Sequence, residues 1–324
     1  MSNLFLRLRR RIITPSSSAT KLDVRGFHRK NPAAVELLET VGESFLTGYA
    51  AAAEARTPAE AEPALEAVRP QFRGFAYEGA AMALAVLDAL PGGRSDRVQT
   101  FLAGRGADHV YMAYVGVGWA MARVPRFRWS KLYAPDPLLR WLALDGYGFH
   151  QAYFRTRRYV HEQYQEPDFP WPADGPRWYS RRAIDQGIGR AMWFVGGTDA
   201  GVVADLIDRF PAERRSDLYG GAGLAATYAG GADADELRLF LDRAGKHRAE
   251  VAQGSAFAAT ARLTAGLETP HTARATSVLA GTTPAEAVRI CDEQRPTGGD
   301  SPLEPAYEIW RQAIADELRV RGRQ

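Results

Sequence analysis

The densest group of chemically useful side chains is Asp145-Gly146-Tyr147-Gly148-Phe149-His150. A carboxylate at a helix start and a histidine about a turn and a half later can do general acid–base work. Two plainer roles compete: Asp145 as an N-cap for the first amides of its helix, and His150 as a hydrogen-bonded core residue. Asp185-Gln186-Gly187-Ile188-Gly189-Arg190 repeats the layout. Gln186 and Arg190 are four apart and share a helix face. The guanidinium of Arg190 is a fixed donor fork for a carboxylate or thioester oxygen, or the partner of Asp145, Asp185 or Glu78 in an internal salt bridge. Glu78 lies in the apolar run Gly74-Phe75-Ala76-Tyr77-Glu78-Gly79-Ala80-Ala81-Met82. Burying it unpaired would be costly, so it must either meet an arginine such as Arg73 or Arg190 or hold a raised pKa. Asp108-His109 reads as a cap for the helix bearing Tyr111 and Tyr114. The candidate catalytic residues are therefore Glu78, Asp145, His150 and Asp185, with Arg190 as the orienting cation.

No metal site is expected. Six histidines are scattered without a His-x3-His pair, and the single cysteine, Cys291, excludes both a cysteine-built zinc site and an intramolecular disulfide. The glycines lack the strand–loop–helix context of a dinucleotide or Walker site, and no Gly-Lys-Ser/Thr follows them. No cofactor motif is visible, so the cofactor stays unknown; redox chemistry would call on a partner, a bound metal or molecular oxygen.

The elements that must carry these residues are helices. Alternating Val/Ile/Thr runs are almost absent, and Ala, Leu and Arg dominate. Turn signals at Pro91-Gly92-Gly93, Gly196-Gly197, Gly230-Gly231, Thr269-Pro270 and Gly299 punctuate apolar stretches of helical spacing. Seven helices open on small residues: Gly42-Glu43-Ser44, Tyr77-Glu78-Gly79, Gly116-Val117-Gly118, Gly146-Tyr147-Gly148, Gly187-Ile188-Gly189, Gly221-Ala222-Gly223 and Gly254-Ser255-Ala256. Their starts are 35, 39, 30, 41, 34 and 33 residues apart, the spacing of one helix hairpin per repeat. Connecting helices are expected near residues 60–68, 98–102, 137–144, 200–208, 234–243 and 272–279. The fold class is thus all-α: helix-hairpin repeats forming an α/α toroid or an α-solenoid. Glycine inside a helix costs roughly 1 kcal/mol against alanine, so its recurrence points to close helix packing or a ligand near backbone. The inner layer would also carry Tyr77, Trp119, Tyr147, Phe149 and Trp193 as binding aromatics. The proline-rich Gln165–Pro176 stretch reads as a lid or a surface loop.

Length and charge bound the rest. With 324 residues, 46% hydrophobic and 24% charged, the chain is neither disordered nor collagen-like. Residues 1–31 hold eight Arg/Lys and one Asp, giving +7; the remainder holds 33 basic and 37 acidic residues, giving −4. A mildly acidic body argues against nucleic acid as a partner. The sequence divides into a basic N-terminal tail, 1–31, and one helical-repeat domain, 32–324. In the tail, Arg7, Arg9, Arg10 and Arg11 alternate with Leu4, Phe5, Leu6, Leu8, Ile12 and Ile13. No secretory signal is evident, and a reducing, cytoplasmic setting is expected. Residues 1–14 could lie on an anionic membrane surface, dock on a partner, or form a short helix folded on the body.

Four blocks carry a family resemblance: Arg73-Gly-Phe-Ala-Tyr-Glu-Gly-Ala-Ala-Met82, Tyr114-Val-Gly-Val-Gly-Trp-Ala120, Asp136-Pro-Leu-Leu-Arg-Trp-Leu-Ala-Leu-Asp-Gly-Tyr-Gly-Phe-His150 and Asp185-Gln-Gly-Ile-Gly-Arg-Ala191. Through them the chain resembles the UnbL-type family of enediyne biosynthesis proteins over roughly residues 25–315. The resemblance implies a pathway rather than a reaction. Such proteins are encoded beside the iterative enediyne polyketide synthase and act with two neighbours, one of them membrane-embedded, in turning a linear polyene into the enediyne core. It carries over no catalytic residues. Two functions are therefore expected: an enzyme or enzyme subunit acting on a linear polyene or polyyne, or a non-catalytic carrier or scaffold that binds the polyene and docks the membrane partner. A long, flat, apolar ligand suits an interior lined by aromatics and small residues.

Overall fold

The computed structural model describes residues 3–91, 96–172, 175–301 and 303–321. Gly92 and Gly93 of the first turn signal lie outside the described residues. The chain is all-α, and no strand occurs among the described residues. The helices are α1 (Asn3–Ile13), α2 (Leu22–Arg25), α3 (Pro32–Glu54), α4 (Pro58–Glu66), α5 (Pro70–Ala89), α6 (Arg97–Leu102), α7 (Val110–Met121), α8 (Trp141–Phe154), α9 (Ser180–Val195), α10 (Ala200–Asp208), α11 (Ala212–Ala229), α12 (Ala234–Ala244), α13 (Arg248–Thr264), α14 (Pro270–Ala280), α15 (Pro284–Glu293) and α16 (Ala306–Arg321).

Local chemistry starts and stops them. Asn31, Thr269 and Thr283 accept backbone N–H bonds at the N-termini of α3, α14 and α15, each followed by proline at the first helical position. Asp233 and Glu236 form a capping box on α12. Gly281 ends α14 in the left-handed conformation.

The helices pack in two layers. In the inner row α3, α5, α7, α8, α9, α11 and α13 each contact the next, and α16 packs on α13. Outside it, α4 meets α6, and α10, α12 and α14 follow one another. Five of the expected connecting helices are these outer elements. The sixth differs: residues 137–140 are a turn, and Trp141–Leu144 already belong to the inner helix α8. The short 30-residue step into α8 leaves no room for an outer helix.

The glycine pairs explain the inner row. At about 100° per residue, positions i and i+2 fall on nearly opposite flanks of a helix. The first glycine therefore meets the preceding helix and the second the following one. A Cβ at Gly146 would lie 2.1 Å from the Val115 carbonyl oxygen, and one at Gly148 2.1 Å from that of Ile184. Gly187 and Gly189 meet the carbonyls of Asp145 and Leu218 in the same order, and Gly221 and Gly223 those of Gln186 and Val251. Each Gly-x-Gly lets a helix touch both neighbours at backbone distance. α5 departs from the expected register. There Gly79 meets the Phe45 carbonyl, and Ala81 faces Gly116 of α7. The pair is Gly79–Ala81, two residues later than Tyr77–Gly79.

Candidate functional site

With the flanks occupied by glycines, the two remaining directions are set. Positions i−1, i+3 and i+7 point into the row and i+1 points out of it. The inward set comprises Glu78 and Met82 on α5, Trp119 and Arg123 at and just beyond the end of α7, Asp145, Phe149 and Tyr153 on α8, Gln186, Arg190 and Phe194 on α9, and Leu224 and Tyr228 on α11. Most of these line one apolar cavity, together with Pro15, Ala19 and Thr20 from the segment before α2. Phe45, Phe75 and Phe154 complete its aromatic wall.

At the wall of this cavity a guanidinium pairs with one buried carboxylate, Asp145, and feels the charge of a second, Glu78. Arg190 donates through one terminal nitrogen to Asp145 Oδ1, and both side chains are buried. Its charge also lies 5.3 Å from the centre of the Phe149 ring. Asp145 Oδ2 and Arg190 Nε have no hydrogen-bond partner among the described residues. Burial raises the Asp145 pKa, and Arg190 pulls it back. Glu78 is 3% exposed. Burial is the largest influence on it, opposed by Arg190 and reinforced by the Asp145 charge, and its pKa rises to about 7. One guanidinium balances one carboxylate, so the second keeps its proton to near neutrality. Trp119 Nε1 is buried without a formed hydrogen bond, yet near enough to Glu78 to favour its charged form.

His150 lines the same cavity, 5.5 Å edge-on from Trp119. Neither ring nitrogen has a partner. Burial, then Arg123 and Arg155, lower its pKa to about 3, so it is neutral at physiological pH. Tyr228 adds a phenol whose hydroxyl is buried and unpartnered. Buried polar groups are normally paired, and here four side chains with unsatisfied atoms, Trp119, His150, Arg190 and Tyr228, line one apolar space.

The structure brings together Glu78, Asp145, His150, Trp119, Phe149 and Arg190. It sets the other four candidates apart. Asp185 is bound by both nitrogens of the Arg214 fork, at 2.6 and 2.9 Å, and by Gln165 at 3.1 Å. Its pKa, raised to about 6 by burial, belongs to that structural pair. Tyr147, an i+1 residue, points away from the cavity and packs with Phe169 and Trp129. Tyr77 stacks on His109 and donates to Glu66 at 2.6 Å. Trp193 donates to the Gly230 carbonyl at 2.9 Å and packs edge-on to Phe240.

The capping alternatives also resolve. Asp145 lies inside α8, and Asp136 accepts the N–H groups of Leu138 and Leu139 before it. Asp108 is exposed and makes no side-chain cap. Arg73 serves Glu66 and the Val68 carbonyl rather than Glu78. The described part of 165–176 is pinned beside Asp185 through Gln165 and the buried Phe169, and it adds no residue to the cavity lining.

Sequence reasoning missed Tyr228, Tyr153, Phe194 and Arg123. All four sit seven residues after the first glycine of their pair, two turns along the same face, which is the signal that finds them. It also missed a buried network at the other end of the row. Arg311 of α16 holds Asp217 at 2.8 Å, Glu308 at 2.9 Å and the Tyr179 hydroxyl at 3.1 Å, and Arg182 holds Asp217 at 2.9 Å and Glu308 at 2.7 Å. Among the described residues no three His, Cys, Asp or Glu side chains gather as a metal would require, and no helix is long and apolar enough to cross a membrane.

These features define an all-helical protein built around a buried carboxylate–guanidinium group in an apolar cavity. The chain belongs to a family of proteins of unknown function, DUF1702, which it matches over residues 4–318. No curated protein and no solved structure matches it.

Proposed function

We propose that this protein takes a linear polyene or polyyne from an iterative polyketide synthase into its cavity and moves a proton on it during enediyne core formation. The carrying observation is Glu78: a carboxyl of pKa about 7 beside an arginine already matched by Asp145, in an apolar, aromatic-walled space. A carboxylate in that range exchanges protons at neutral pH, and Arg190 and Tyr228 offer donors to an oxygen that gains charge as an adjacent carbon loses its proton. The pathway reading rests on the resemblance of the four blocks, which lie mainly on α5, α7, α8 and α9. We read the inner row as an α/α toroid rather than an open solenoid, because Phe75 of α5 packs on Tyr228 of α11 and Arg262 of α13 donates to the Gln71 carbonyl. The body's acidic balance gives no reason to propose a nucleic-acid partner.

The test is co-expression with a polyene-producing synthase, followed by the visible spectrum of the purified protein and the masses of extracted molecules. Wild-type protein should carry a converted product, and Glu78→Gln the unconverted polyene in near-stoichiometric amount. The same species in both would remove Glu78 from the chemistry. An empty, colourless wild-type protein would remove the ligand.

One observation favours the carrier reading. Arg9 of α1 donates to the Ala53 and Ala55 carbonyls at the end of α3, and Leu6 is buried, while Leu4, Phe5, Leu8 and Ile12 face outward. A pinned helix with an outward apolar stripe suits docking on a membrane-embedded partner or the lipid around it. Serine at Leu4, Leu8 and Ile12 should then release the protein from the membrane fraction of producing cells; unchanged partition would argue against it.

A further inference from the structure

A second, smaller apolar chamber adjoins the first. Its walls come from α7, α8, α11, α13 and α16, including Met112, Leu142, Phe257, Ala261 and Trp310. Arg190, Leu224 and Tyr228 wall both chambers. Arg190, with Leu224 and Tyr228, therefore stands between two apolar spaces.

The atoms at this junction are specific in what they ask for. Arg190 Nε and the Tyr228 hydroxyl are buried donors without acceptors. Burial, then the charges of Arg262, Glu78 and Arg190, act on Tyr228, and Arg262 covers its ring at 4.0 Å while Arg190 shares both chamber walls with it. Two unsatisfied donors facing one space call for an acceptor oxygen on the ligand. A ligand with its oxygen at one end cannot both place that oxygen at these donors and fill the two chambers. Resting on the binding reading above, we infer that the ligand is a chain with an internal oxygen, a ketone or alcohol flanked by two apolar arms. One arm fills each chamber, and the oxygen lies at Arg190 and Tyr228. The aromatic wall of Phe257, Tyr307 and Trp310 then limits the length of the far arm.

Diphenylhexatriene, a neutral fluorescent polyene, serves as probe on the full chain. Ketones of one chain length, with the carbonyl at the middle or next to the end, compete with it. The internal ketone should displace the probe about tenfold better, the value of the one well-made hydrogen bond that the end ketone gives up when it fills both chambers. Ala261→Phe, which fills the far chamber, and Tyr228→Phe, which removes a donor that nothing else uses, should each erase that preference while the probe still binds. Equal competition by the two ketones, or a preference that survives both variants, overturns the inference and leaves the first chamber as the binding site. A wild-type protein that does not take up the probe overturns the binding reading itself, and this inference with it.

Discussion

The Asp145 carbonyl lies so close to Gly187 that a Cβ there would sit 1.8 Å from its oxygen. Three residues after Gly187, Arg190 reaches back to the Asp145 side chain. One backbone contact between α8 and α9 thus sets the distance over which the buried ion pair forms. Gly187→Ala should force the two helices apart. Overpacking a core typically costs about 1–3 kcal/mol, and a backbone carbonyl gives way less than a side chain, so the upper end is expected. Thermal melting should show a Tm several degrees lower, with bound polyene lost in the protein that remains folded. An unchanged Tm would mean that the row tolerates wider spacing than its glycines imply.

Glu78 gives a pH signature. Its pKa is about 7 when folded and near the ordinary 4.5 when unfolded. Between those values the folded state binds more protons than the unfolded one, so its contribution to stability falls as pH rises. The loss approaches the order of 3 kcal/mol above pH 7. Glu78→Gln removes it. The variant should match the wild type near pH 4.5 and exceed it in urea midpoint at pH 8. A less stable variant at pH 8 would show that attraction to Arg190 outweighs burial.

His150 titrates in the opposite sense. Burial holds its folded pKa at about 3, against 6.5 unfolded. The unfolded state takes up the proton first as pH falls below 6.5, so stability drops toward acid. His150→Phe abolishes this and removes two unpartnered nitrogens. Its urea midpoint should equal or exceed that of wild type at pH 7, and the gap should widen at pH 5. Retention of polyene should fall, since the imidazole faces the ligand space. A gap that narrows at pH 5 would mean the histidine is charged in the fold.

Much of this arrangement is legible in the chain, because the glycine pairs are local. They mark the inner helices and, through the helical angle, the inward positions of Trp119, Phe149 and Arg190. The same angle turns Tyr147 outward, which residue type alone does not reveal. α5 hides its register because alanine replaces the second glycine, so Tyr77 is misplaced while Glu78, at i−1, still points inward. Asp185 looks like Asp145 in sequence. Its partner Arg214 lies 29 residues on in α11, and no local pattern announces it. The Arg311 network is less legible still, since its members come from α9 and the turn before it, α11 and α16.

Asp185 tests that distinction. It is as buried as Asp145 but is fully engaged by Arg214 outside the cavity. Asp185→Asn leaves a buried guanidinium partly unmatched, which typically costs about 3–5 kcal/mol. The expected protein melts well below wild type, yet binds polyene normally once corrected for its folded fraction. Loss of binding in the folded fraction, with little loss of stability, would move Asp185 into the functional group.

Gly74 and Tyr228 offer a double-mutant test of the cavity wall. A Cβ at Gly74 would lie 2.0 Å from the Tyr228 hydroxyl oxygen and 3.2 Å from the ring carbon that bears it. The ring cannot swing clear, because Phe75 packs edge-on at 5.2 Å and the Arg262 guanidinium covers its face at 4.0 Å. Gly74→Ala alone should cost about 1–3 kcal/mol. Tyr228→Phe alone should cost little, since the hydroxyl has no partner to lose. In the double variant the colliding oxygen is gone, and most of the Gly74→Ala cost should disappear. The interaction energy is then well outside additivity, measurable from urea midpoints of the four proteins. Additive costs would mean that the Tyr228 ring moves, and that its hydroxyl is not held at the junction of the two chambers.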